Sequence, residues 1–108
     1  MNDKWQEFID NIKDDSAKLI KEELNNLLNA AKGDSEEFIR QQGDKLKSYL
    51  NQLASGKITK EQFEGYVIDI KDLTEMQMLK MTVAGKASAQ RLANGISKIV
   101  IDGLLKII

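Results

Sequence analysis

The chain has no cysteine, no histidine and no proline. Without cysteine there are no disulfides, thiolate nucleophiles or thiolate metal sites. Without histidine as well, the usual zinc and nonhaem-iron ligand sets and every histidine-based triad are excluded. Acid/base chemistry is then left to carboxylates, lysine and tyrosine. Without proline, only glycine and capping residues can stop a helix. There is also no glycine-rich phosphate loop, nucleophile elbow or metal motif. The expectation is a protein that is not an enzyme and carries no cofactor or metal. No stretch reaches the ~18 to 20 apolar residues of a membrane span, and Met1-Asn2-Asp3-Lys4-Trp5 lacks the apolar segment of a signal peptide. Cytoplasmic location is therefore expected.

What the chain does have is a globular helical composition. It has 108 residues, of which 42% are hydrophobic and 31% charged, too apolar for a disordered segment. That length suits a single helical domain over residues 1–108. From Trp5 to Ala31, the apolar residues Trp5, Phe8, Ile9, Ile12, Leu19, Ile20, Leu24, Leu27, Leu28 and Ala31 recur mostly in helical steps, which predicts one amphipathic helix. Lys32-Gly33 reads as its stop, with Gly33 free to turn left-handed. Asp34 or Ser35 then caps a second helix, with Glu37 in capping-box position after Asp34. Its stripe is Phe38, Ile39, Leu46, Tyr49, Leu50 and Leu53, weakened by Gly43 and ended by Ser55-Gly56.

Thr59 with Gln62 forms a further capping box, and Ile58 before it can clasp Phe63, so a third helix begins near Lys60. On a helical wheel its front half is two-faced, with Phe63, Tyr66, Val67, Ile70 and Leu73 opposite Glu61, Glu64, Lys71, Asp72 and Glu75. Farther on, the polar arc swings round to Lys80, Arg91, Lys98, Asp102 and Lys106. The crossover falls at Met76 to Met81. Either one long helix changes partners there, or it breaks near residues 76–86 and a fourth begins. The fold class is thus an all-α antiparallel helical bundle of three long helices, or of four if the third breaks.

Several segments suggest chemistry. Residues 51–62 resemble a calcium loop in having Gly56 at the sixth position, but Asn51, Leu53, Ser55 and Gln62 stand where calcium needs carboxylates. A helix stop followed by a capping box accounts for the same residues. Met76, Met78 and Met81 read as core filler ahead of a soft recognition surface. Gly85, Ala89 and Ala93, four apart, predict close approach of another helix. Asp14-Asp15, Glu22-Glu23 and Glu36-Glu37 point different ways on a helix and read as solvated charge.

Charge is uneven. Residues 1–79 carry 11 basic and 16 acidic side chains, and residues 80–108 carry five and one. The simplest expectation is that the C-terminal cations face the acidic helices. A basic amphipathic helix can also lie on an anionic membrane or in a partner's groove. Nucleic acid is not expected, because no aromatic residue is interleaved with these cations.

At α-helical spacing, Ile96, Ile99, Val100, Ile101, Leu104, Leu105, Ile107 and Ile108 spread around most of a helix, wider than one neighbour can cover. They are the expected interface of a non-catalytic interaction module, a homo-oligomer pairing through these residues or a partner of another helical protein. The alternative is a peripheral membrane protein anchored by the same helix.

Overall fold

In the computed structural model, which describes residues 3–108, an aspartate divides the expected N-terminal helix in two. Asp14 Oδ1 accepts from the Ser16 N–H at 2.9 Å and from the Ser16 hydroxyl, and Ala17 N–H donates to Asp14 O at 3.1 Å. A short polar side chain that satisfies nearby backbone competes with helix continuation. Lys13 to Ser16 also contain no apolar residue to pack. Helix α1 is therefore Lys4–Asp10 and α2 is Ala17–Lys32. The break shifts the buried face of α2 to Ala17, Ile20, Leu24, Leu27, Leu28 and Ala31 and leaves Leu19 56% exposed. The start of α1 is held from outside, since Asn51 Oδ1 accepts from Trp5 N–H at 3.1 Å.

Helix α2 ends at Gly33 with φ −89°, not the expected left-handed turn. The N–H groups of Gly33 and Asp34 close on Asn29 O and Ala31 O instead. Helix α3, Glu37–Ala54, follows without the expected Asp34–Glu37 box. Asp34 Oδ1 takes the Glu36 N–H, and Arg40 Nη1 donates to Asp34 O. At the other end Gly56, φ +74°, is the left-handed glycine. Lys57 N–H donates to Gln52 O and Gly56 N–H to Leu53 O, the paired bonds of a Schellman stop. Helix α4, Lys60–Met78, opens with the expected box: Gln62 N–H donates to Thr59 Oγ1, and Thr59 N–H to Gln62 Oε1. Phe63 is fully buried and Ile58 half-buried against the same core.

The third expected helix breaks. Leu79, Lys80 and Met81 close tight backbone turns on Met76, Gln77 and Met78, and Thr82 caps α5 by accepting from Gly85 N–H. Helix α5, Val83–Gly95, runs on as a π-helical segment, Ile96–Leu104, and one last α-turn, Leu105–Ile107. Among the described residues the fold is thus all-α with five helices, counting the C-terminal run as one, in place of three or four. Lys60 Nζ donates to Ile108 O, and Glu75 shares a cleft with Gln90. Helices α4 and α5 therefore lie side by side in opposite directions.

One apolar cluster takes residues from every helix, including Trp5, Leu24, Leu46, Phe63, Leu92 and Ile96. Each such side chain contributes roughly 1.5–3 kcal/mol on burial. The small residues allow close packing, as expected: Gly85, Ala89 and Ala93 are all buried, and a β-carbon on Gly95 would lie 2.6 Å from Leu27 Cδ1.

The winding of the C-terminal segment decides which residues join this core. Leu105 N–H donates to Val100 O, five residues back. At about 100° per residue, α-winding would set Leu105 about 180° from Ile96. At about 82° per residue, π-winding brings it to within about 20°. Ile96, Val100, Leu104 and Leu105, all buried, then share an arc of about 80° instead of half the helix.

Candidate functional site

Chemistry needs converging polar groups, so the clefts come first. One, about 850 Å³, is an open depression lined by Asp3, Lys4, Asp44, Lys47, Asn51 and Lys57, among others. Its charges are solvated, and Lys47 pairs with Asp3 at 3.1 Å. A second, about 380 Å³, lies at the α1–α2 break beside the Lys21–Asp10 pair. A space of about 10 Å³ between Leu27, Asp34, Ser88 and Arg91 has room for about one water. Among the described residues no three carboxylates gather to hold a metal ion.

Among the described residues two surface groups have shifted ionisation. The hydroxyl and then the N–H of Ser16 hold the Asp14 carboxyl below the ordinary range. The hydrogen bond to Glu75 raises Lys71. A turn and an i,i+4 pair account for them.

The eight residues expected to form an interface divide between the core and its edge. Ile96, Val100, Leu104 and Leu105 are buried in the chain's own core, and Ile99, Ile101, Ile107 and Ile108 are half-buried against it. Lys98, Asp102 and Lys106 face solvent. The apolar arc that motivated a C-terminal interface is thus mostly occupied within the molecule, because the π-winding narrows it and α2 and α4 cover it.

Large apolar side chains are exposed elsewhere, at Leu19, Tyr66 and Ile68 and most of all at the corner where α4 turns into α5. Met76 is 65% exposed, Leu79 83% and Val83 88%, the three highest values among large apolar side chains of the described residues. The turn is held by backbone bonds and the Thr82 cap, so its folding does not require apolar side chains at 79 and 83. The methionine reading divides accordingly: Met78 and Met81 pack against the core, and Met76 does not. In the sequence, the signal for this corner was the swing of the polar arc. Where a helix changes its buried face, residues between the two faces are left uncovered.

Charge adds to the corner. The ion pairs among the described residues are Lys21–Asp10, Lys47–Asp3 and Lys71–Glu75. None involves Lys80, Lys86, Arg91, Lys98 or Lys106, and all five are exposed. The expectation that these cations face the acidic helices is met in part: Arg91 shares a small space with Asp34 and Glu36 lies beside Gly85, yet none of the five forms an ion pair among the described residues. Between Met76 and Ile101 there are four cations and no anion.

Among the described residues no helix is long and apolar enough to cross a membrane. No family model, no curated protein and no solved structure matches this chain.

Proposed function

We propose that this chain is a non-catalytic helical interaction module whose contact surface is the α4–α5 corner. The observation that carries the reading is the exposure of Met76, Leu79 and Val83 at and beside a turn that is held by backbone bonds. Large apolar side chains clustered in water favour burial on association. The clefts support no competing catalytic reading, since their charged groups are solvated and do not converge. Self-association remains part of this proposal. Of the residues expected to mediate it, Ile99, Ile101, Ile107 and Ile108 keep partial exposure, and light scattering at high micromolar concentration measures it directly.

A photo-crosslinking side chain at position 79 tests the module, with one at position 19, an exposed leucine site on α2, as the control. Adducts to protein or lipid in cells at 79 and not at 19 are expected. Equal labelling at both positions overturns the reading.

A further inference from the structure

The corner that exposes Met76, Leu79 and Val83 also carries Lys80 within its turn and Lys86 on the first turns of α5, both exposed and outside every ion pair among the described residues. From this pairing of apolar tip and cations we infer that the corner docks onto the surface of an anionic lipid bilayer. Leu79, Val83 and Met76 enter the headgroup boundary, and Lys80 and Lys86 meet lipid phosphates and carboxylates. This inference rests on the proposed interaction surface and names its partner.

Three observations select the bilayer. The first is charge complementarity. No acidic residue lies between Glu75 and Asp102, and Glu75 is paired with Lys71 at 2.7 Å. Glu36 lies beside Gly85 and Asp34 shares a small space with Arg91, and the three cations Lys80, Lys86 and Arg91 still outnumber these two carboxylates. Cations beside an apolar surface are drawn to anionic leaflets, and basic residues add to the affinity roughly one by one.

The second observation is shape. The apolar side chains come from the last turn of α4, the connecting turn and the first residue of α5, and this is not the continuous i, i+3, i+4, i+7 stripe of one helix that a protein groove reads. A fluid interface accepts such a tip without a preformed socket. The third concerns a second copy. Two corners meeting would bring Lys80 and Lys86 of both chains together, and like charges oppose that contact. The open depression of about 850 Å³ on a second copy is lined by Asp3, Lys4, Asp44 and Lys47, charged groups that suit no apolar tip. With no helix able to span the bilayer among the described residues, the contact is a surface one.

The test is sedimentation of the full chain with vesicles of phosphatidylcholine alone and with one third phosphatidylserine, at low and high salt. Binding is expected to the anionic vesicles only and to weaken as salt screens the lysines. Leu79→Gln with Val83→Gln should lower the affinity at least tenfold, and Lys80→Gln or Lys86→Gln about fivefold each. Leu19→Gln should leave it unchanged. Circular dichroism confirms that these surface variants fold. Absence of binding to the anionic vesicles, or binding that the Leu79/Val83 pair does not alter, overturns the inference. If vesicles are ignored while position 79 crosslinks to protein, the bilayer is the wrong partner and the interaction surface stands. If position 79 labels no more than position 19, the surface itself fails.

Discussion

Gly43 of α3 faces Ala31 of α2 so closely that a β-carbon on Gly43 would lie 2.6 Å from Ala31 Cβ. Real β-carbons do not approach to that distance, and alanine has no rotamer by which to move away. The two helices meet at this pair through the smallest side chains, and the apolar residues around them reach across. In the sequence alone, Gly43 reads as a weak point in its helix; in the fold it is what allows the approach.

Gly43→Ala is therefore expected to destabilise the fold by about 1–3 kcal/mol, overpacking outweighing the helix propensity gained. Exchanging the pair, Ala31→Gly with Gly43→Ala, should recover part of the loss. Gly65 in α4 has nothing within 4 Å of its β-carbon position, so Gly65→Ala should stabilise by about 0.5–1 kcal/mol. Urea unfolding of the variants checks the opposite signs, and a stabilised Gly43→Ala would refute the close contact.

Gln42 is buried in α3, and its Oε1 has no hydrogen-bond partner. A carbonyl taken out of water without a partner costs about 1–3 kcal/mol. Gln42→Met, similar in shape and without the carbonyl, is expected to raise Tm by several degrees at about 4–8 °C per kcal/mol. An unchanged or lower Tm would mean that the carbonyl is satisfied in solution.

The π-winding makes a prediction that α-winding does not. Leu105 is buried in the core and Ile101 half-buried at its edge, so Leu105→Ala should cost about 2–5 kcal/mol and Ile101→Ala clearly less. Wound as an ordinary α-helix, Leu105 would point away from Ile96, and its truncation would cost little. Thermal or urea unfolding of the two variants separates these geometries.

The Ser16 hydrogen bonds to Asp14 favour its ionised form, so its folded-state pKa lies below the ordinary aspartate value of 3.8. A carboxyl depressed in the fold contributes stability above its unfolded pKa, and that contribution is lost as pH falls through the folded pKa. The Ser16 amide resonance is expected to titrate with a midpoint below 3.8, with α2 fraying from its first turn. Asp14→Asn keeps an acceptor and should flatten this titration. A midpoint at or above 3.8 would contradict the turn geometry.

Helical class, the Thr59–Gln62 box, the Gly56 stop and the crowding at Gly85, Ala89 and Ala93 were legible in the sequence. Each depends on residues within one or two helical turns, where backbone hydrogen bonding and side-chain size decide the outcome. The break at Asp14 was also local, marked by the polar run from Lys13 to Ser16, but the apolar steps on either side concealed it. The destination of Ile96 to Ile108 was not local. Reading that segment at α-helical spacing spreads its apolar residues around the helix and implies an outside partner. Packing against α2 and α4 is served by a wider winding that turns Ile96, Val100, Leu104 and Leu105 to one side. The free surface therefore moves to Met76, Leu79 and Val83. Amino-acid order set where helices start, stop and carry apolar side chains; only the tertiary structure decided which of those side chains found cover, because burial depends on neighbours distant in the chain.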